Sequence, residues 1–437
     1  MFNSILEFIQ GKTGILYRNS YLLQNIDFLI FLALAGTLLA SLTMSSGIIG
    51  LGALAVAGLT FVKLLTAQGE KVRMTKAELC LIIFFLIVFI SLCGSTLFGL
   101  SFKGFLKTVT YILFYFSAAQ LFKSNLRYGI AALFVIAAGI FFESGIAFLQ
   151  NFTHVQAIAG WQDVSNLNPE QVMTRVYGTL QPYNPNLFGG YLVVGLPACL
   201  GLTFWLLVKK YYKLALLFFA GTGAGVLSLV FTGCRGAYVA FFMMTLCVLT
   251  ISLKFFWQNY KKIYLAVVGA GVVVSTMLIL ASTSLRARIL SIFAMRQDSS
   301  NSFRFNVYQS SWQMFKDNWL LGIGVGNKNF REIYGLYMKT GFDALSAYNI
   351  YLETAVESGI FALIAFLVYL GLQIFYAVKY ILTSKDAAKI VLMSAALVSL
   401  AGVMAHGMVD TVFFRPQIQI IFWIMMAIIS ALVQEKC

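Results

Sequence analysis

Apolar runs of about 20 residues recur along the whole chain, the length a helix needs to cross the hydrocarbon of a bilayer. Reading these runs against their breaks predicts twelve helices. They lie near 26–43, 46–66, 77–98, 103–122, 126–150, 186–208, 213–231, 236–256, 263–281, 347–378, 387–407 and 416–434. Within lipid every backbone polar group must find an internal partner, which a helix provides. The expected fold is therefore an all-α integral membrane protein with about 12 transmembrane helices and a large outward-facing loop containing an amphipathic helix. Three stretches follow: 1–281 with helices one to nine, 282–346 as the loop, and 347–437 with helices ten to twelve. Hydrophobic residues make up 60% of the chain and charged ones only 11%, so no soluble domain is expected.

Loop charge orients the frame. With the N-terminus placed in the cytoplasm, the even connectors QGEKVRMTK (68–76), KSNLR (123–127), KKYYK (209–213), NYKK (259–262) and TSKDAAK (383–389) also face it. All five are rich in Lys or Arg, as the positive-inside bias requires, and both termini come out cytoplasmic. The same bias accounts for much of the net charge of +15, and nothing reads as a nucleic-acid module. The first twenty residues, MFNSILEFIQGKTGILYRNS, lack the basic and short apolar regions of a removable signal peptide. The six cysteines show no CxxC spacing and read as small apolar packers. With two histidines in the chain, a His-based metal centre is not expected.

Ionisable residues within membrane segments mark function by default. Here they collect in the outer third of the bundle: Lys103 and Lys107, Glu143, Arg235, Glu353 and Glu357, then His406, Asp410 and Arg415. A carrier should instead place its polar groups near the midplane. Arg235 faces outward, against the charge bias, between Gly233 and Gly236 in FTGCRGAYVA. Its planar fork suits phosphate. It could equally snorkel to headgroups or pair with Glu143 or Glu357.

Four motifs appear in a fixed order on this frame: GTLQPYNPNLFGGYL (178–192), TGCRGAYVAF (232–241), FRFNVYQSSWQMFKDNWLLGIGVGNKNF (303–330) and SAYNIYLETAVESGIFA (346–362). Together they resemble the O-antigen ligase and polymerase superfamily of bacterial inner-membrane glycosyltransferases. The resemblance covers roughly 170–365 by motif and the whole chain by topology. It implies a donor glycan on a polyprenyl-diphosphate carrier and a glycan or glycolipid acceptor, handled at the outer side of the lipid bilayer. No nucleic acid, cofactor or metal is implied. The family's two diphosphate-contacting arginines fall on Arg235 and Arg304. Its histidine leading into the tenth span falls on Tyr348, a poor base at its ordinary pKa of about 10. Tyr348, Glu353, Glu357 and Asp343 are therefore the candidates for the base, with Tyr348 equally readable as an interfacial aromatic. The catalytic candidates are Arg235, Arg304, Tyr348 and Glu353. Arg175, Asn186, Arg331, Asn349 and Glu357, in or beside the motifs, are the substrate-binding candidates. A transporter or flippase, for a small anion such as bicarbonate or a lipid-linked glycan, is the alternative; a non-catalytic scaffold is the third class.

Several positions carry structural readings. Asn184-Pro185 reads as a helix cap and first turn. Residues 303–319 read as an amphipathic helix, capped by Asn301 or Ser302, lying at the interface or packed over the bundle. The glycines of GIGVGN read as a turn after that helix, and Asn327 and Asn329, which could hydrogen-bond sugar hydroxyls, read first as turn residues. Glu353 and Glu357 share a helix face; they could orient an acceptor or cap an internal network, and pairing with Arg235 or Arg304 is the favoured reading. His406 and Asp410 form either an acid–base pair or a helix-end network, and His154 reads as a solvated loop residue.

Overall fold

The computed structural model describes residues 2–153, 175–294 and 298–434. His154 lies outside them. The helices are α1 (Phe2–Asn19), α2 (Tyr21–Gln24), α3 (Ile26–Thr43), α4 (Ser46–Thr66), α5 (Lys76–Cys93), α6 (Phe98–Ser124), α7 (Leu126–Phe152) and α8 (Pro185–Val208). There follow α9 (Tyr212–Phe231), α10 (Arg235–Ala281), α11 (Thr283–Leu290), α12 (Ser299–Asp317), α13 (Asn327–Tyr334), α14 (Ile350–Thr383), α15 (Ala387–His406) and α16 (Pro416–Gln434). Among the described residues no strand forms, and eleven of the helices are long and apolar enough to cross a membrane. The chain is an all-α polytopic membrane protein.

The difference between eleven and the expected twelve lies in α10. A straight helix of its 47 residues would run about 70 Å at about 1.5 Å per residue, more than twice the thickness of the hydrocarbon. Instead it reverses at Tyr260, whose φ of −131° and ψ of 26° leave the helical region. Beyond the bend the Tyr264 hydroxyl donates to the Leu249 carbonyl at 2.9 Å. At the far ends Arg288 Nε reaches the Gly233 carbonyl at 2.7 Å. The arms 235–259 and 261–281 are therefore antiparallel, and twelve crossings result. NYKK is a helical bend rather than a separate loop.

The centre of the bundle is α16. Every residue from Ile420 to Leu432 is buried, as a helix apolar on all sides requires, and α3, α4, α6, α7, α8, α14 and α15 pack around it. The end of the bundle carrying residues 282–349 is called the loop end below. There Asp298 caps α12, its carboxylate accepting the Asn301 N–H, so the helix starts earlier than Asn301 or Ser302. Val307, Ser311 and Met314 are buried and α12 packs on α14. The apolar stripe expected from Phe303 to Trp319 is split: Trp312 and Trp319 point away and are both 53% exposed.

The chain after α12 is locked into a break in α14. Gly359 has φ +78° and ψ 177°, a backbone conformation that L side chains avoid. The break frees backbone groups of α14, and the incoming segment takes them up. Ile323 N–H donates to the Val356 carbonyl, Gly324 N–H to that of Glu357, and Ile360 N–H to that of Trp319, each at 2.9 Å. Ser91 Oγ also donates to the Glu357 carbonyl at 2.9 Å. The glycines of GIGVGN thus serve close backbone packing against α14 and α6, beyond the simple turn expected of them: a Cβ on Gly322 would lie 2.4 Å from the Glu357 carbonyl carbon. A Cβ on Gly359 would lie 2.1 Å from the Leu320 carbonyl oxygen. Gly359→Ala is expected to cost at least about 2 kcal/mol and to raise hydrogen exchange across 319–324. Gly371→Ala, in the same helix with open space around it, should leave the melting temperature unchanged or higher.

Candidate functional site

Three arginines surround the short turn between α9 and α10. Arg235 is the first residue of α10 and is 7% exposed. Its Nη1 contacts Asp298 Oδ1 at 2.8 Å and the carbonyl and hydroxyl of Ser291 at 3.2 Å each. Arg175 donates from Nε to the Thr232 carbonyl at 2.8 Å and from Nη2 to Asn186 Oδ1 at 2.6 Å. Arg288, on α11, holds the Gly233 carbonyl through Nε; among the described residues its two terminal nitrogens have no hydrogen-bond partner.

A fourth arginine closes the figure. Arg304 lies in the second turn of α12, where the Asp298 cap places it beside the first group. Its Nη2 is 3.7 Å from Asp410 Oδ2, an ion-pair separation too long for a hydrogen bond. Asn186 Nδ2 approaches the same Asp410 oxygen at 3.5 Å. The contacts run in a ring from the turn through Arg235, Asp298, α12, Arg304, Asp410, Asn186 and Arg175, and back to Thr232. With Arg288 bound to the turn beside it, the ring gathers four guanidinium groups against two carboxylates, a surplus of positive charge. The N-terminus of α10 adds a partial positive charge of the same sign.

The crowding has an electrostatic cost. Burial, and then Arg175 and Arg235, push the Arg288 pKa down to about 10. Arg175 is also held below the usual guanidinium range, chiefly by burial and further by Arg235 and Arg304, with Cys234 and Tyr238 opposing. Desolvation and like charge both disfavour the charged form, and an anion placed here would offset both. Under α10, His406 Nε2 meets Cys234 Sγ at 3.8 Å, and both side chains are buried. Glycine makes room for the imidazole: a Cβ on Gly236 would sit 2.7 Å from His406 Cδ2.

Tyr348 has φ +50°, uncommon for an aromatic residue and a mark of strain. It is held by an edge-on contact with Phe303, ring centroids 5.7 Å apart, and by the Tyr308 hydroxyl on its carbonyl at 3.2 Å. The Arg304 guanidinium lies 6.0 Å from its ring centre, at the limit of cation–π range. Burial first and Asp410 second push the Tyr348 phenol up to about 12.

The sequence candidates divide accordingly. Arg175, Asn186, Arg235, Arg304 and Tyr348 come together. Glu353 accepts from Ala347 N–H at 3.1 Å and Glu357 from Gly326 N–H at 2.8 Å. These carboxylates hold loop backbone where an ion pair with arginine was expected. Glu143 likewise accepts from Thr179 N–H at 2.8 Å, so Arg235 meets Asp298 instead of Glu143 or Glu357. Asn349 caps α14 and donates to the Met408 carbonyl at 3.0 Å. Arg331 is half exposed and paired with Asp343, apart from the ring. Asn184 caps α8 with Pro185 at its first position. Asn329 donates to the Ile323 and Gly324 carbonyls, a turn role as expected. The His406 ring meets Cys234, and Asp410 turns to Arg304 and Asn186, so the helix-end network is what forms.

Arg288 and Asp298 were missed. Arg288 sits in the basic run LRARIL and Asp298 in a polar one, and only the α10 hairpin brings both to the turn at 232–235. The family model described as O-antigen ligase matches residues 220–367, from α9 through the loop end into α14, and supports the O-antigen ligase superfamily for this segment. No curated protein matches the chain.

Arg288 loses its proton more readily when folded than when unfolded. Its charge therefore costs stability below about pH 10, and the cost lifts as pH rises through that value. Arg288→Gln is expected to raise the melting temperature of the ligand-free protein at pH 7. It should also weaken binding of inorganic pyrophosphate by about tenfold or more, as read by calorimetry. A lower melting temperature with unchanged binding would make Arg288 a structural brace.

Proposed function

We propose that this chain is a membrane glycosyltransferase of the O-antigen ligase or polymerase type. It would take a glycan from a polyprenyl-diphosphate carrier and pass it to an acceptor glycan or lipid. The observation that carries this reading is the arginine ring at the loop end of an O-antigen ligase segment. In this reading that end lies on the outer side of the bacterial inner membrane and both termini are cytoplasmic, an orientation the loop charge supports.

In this reading the prenyl tail stays in the bilayer and the diphosphate enters the ring, displacing carboxylate contacts from Arg235 and Arg304. The arginines neutralise the negative charge that grows on the diphosphate as the anomeric bond breaks. Donors fixed in a low-dielectric site stabilise such charge strongly. Arg175 and Arg288, anchored to the backbone at Thr232 and Gly233, hold the positive field in place. The acceptor hydroxyl attacks the anomeric carbon from the side opposite the departing diphosphate, which inverts that centre. Tyr348, its phenol pushed up to about 12, stays protonated at neutral pH and positions Arg304.

The test uses purified protein in liposomes with a polyprenyl-diphosphate oligosaccharide and a panel of acceptor glycans. Release of free polyprenyl diphosphate should require acceptor and fall by roughly 10²–10³ in Arg235→Ala and in Arg304→Ala. Tyr348→Phe keeps the ring beside Arg304 and should stay within about tenfold of the parent. A parent that releases no diphosphate but moves the intact lipid or an anion across the bilayer would make the arginines part of a gate.

A further inference from the structure

A protonated Tyr348 leaves the acceptor hydroxyl without a base, and the carboxylates of the loop end can be compared one by one. Asp343 is paired with Arg331 on the exposed loop. Glu353 and Glu357 accept from the backbone N–H groups of Ala347 and Gly326. Asp298 holds both Arg235 and the first turn of α12 through one oxygen. Asp410 is different. Its Oδ1 accepts from Thr411 N–H at 2.7 Å, while Oδ2 has only the long contacts to Asn186 and Arg304, 3.5 and 3.7 Å. Asp298 meets Arg235 at 2.8 Å, so of the two ring carboxylates Asp410 is the one its arginine holds loosely. Asp410 also lines, with Gly190, His406, Val412, Phe413 and Ile418, a cavity of about 10 Å³, about the size that takes one water-sized group.

We infer that Asp410 is the general base of the transfer, and that the donor's diphosphate frees it by drawing Arg304 away. This rests on the glycan-transfer reading above. The acceptor O–H proton passes to Asp410 Oδ2 as the oxygen's electron pair forms the new bond to the anomeric carbon. The bond from that carbon to the diphosphate oxygen breaks with its electron pair, and polyprenyl diphosphate leaves on the arginines. Asp410 then returns the proton to water. Coupling the base to the donor has a chemical use. While Arg304 faces Asp410 Oδ2, that oxygen is engaged; once the phosphates occupy Arg304, it is free to meet the acceptor hydroxyl.

The experiment compares Asp410→Asn and Asp410→Glu with the parent in nanodiscs. Binding of a polyprenyl-diphosphate oligosaccharide alone is measured first, then single-turnover transfer to a sugar acceptor and to its thiol analogue. Asn keeps the shape and the Thr411 contact but is not a base. Asp410→Asn should bind donor within about threefold of the parent and transfer to the hydroxyl acceptor about 10²–10⁴ times more slowly. Asp410→Glu should recover part of that loss. A thiol ionises near pH 8.5 unaided, so the thiol acceptor should restore Asp410→Asn by at least about tenfold. Equal loss with both acceptors, or loss of donor binding, would overturn the base and make Asp410 a counter-charge for Arg304. Full transfer by Asp410→Asn alongside an inactive Arg235→Ala would remove the base and leave the transfer reading intact. A parent that transfers nothing would remove both.

Discussion

Four guanidinium groups held together away from water repel one another, and the loop end is arranged so that this repulsion can be borne. Each arginine is tethered by a contact that its neighbours do not compete for. Thr232 and Gly233 offer carbonyls to Arg175 and Arg288, and Asp298 and Asp410 offer carboxylates to Arg235 and Arg304. Removing one partner of such a set leaves a buried charge uncompensated, which costs more than the pair itself contributes. The surplus charge that remains is a standing strain, relieved when an anion arrives. Strain of this kind, maintained by surrounding structure, is expected where a site is preorganised for charge.

That arrangement depends on two departures from regular helix. The bend at Tyr260 returns α10 to its starting side and brings α11 against the α9–α10 turn. The break at Gly359 opens α14 so that 319–324 can dock on it through backbone bonds, fixing the end of α12 whose start carries Asp298 and Arg304. Both carboxylates of α14 then close on loop backbone, Glu353 on Ala347 and Glu357 on Gly326. The outcome is a cap tied to α14 through backbone bonds, on which small shifts of Arg304 between Asp410 and a phosphate oxygen would have consequences.

Much of the frame is legible in the sequence because lipid imposes one rule on every span. Apolar length and Lys-rich connectors gave twelve crossings, and NYKK marked the bend in α10 that helical geometry alone would merge. Arg235 stood out because its type is improbable among apolar neighbours, and Arg304 only through the ordered motifs that carry the family resemblance. Arg288 and Asp298 did not, since their importance comes from a hairpin that closes 55 residues of chain between Gly233 and Arg288. Glu353 and Glu357 were misread as partners of arginine because i, i+4 spacing shows a shared face but not what the face meets. Only the docking of 319–326 and the path of the chain at Ala347 reveal that backbone N–H groups were the partners. Gly359 was invisible for the same reason: within VESGIFA it reads as a tolerated helix glycine.

The most direct measurement is an experimental structure of the protein in nanodiscs with a polyprenyl-diphosphate oligosaccharide bound. Phosphate density is expected between Arg235 and Arg304, with the Arg304–Asp410 separation increased and Arg175 and Arg288 still anchored at Thr232 and Gly233. Phosphate density elsewhere, with both carboxylates still on their arginines, would contradict the assignment of this ring as the diphosphate site.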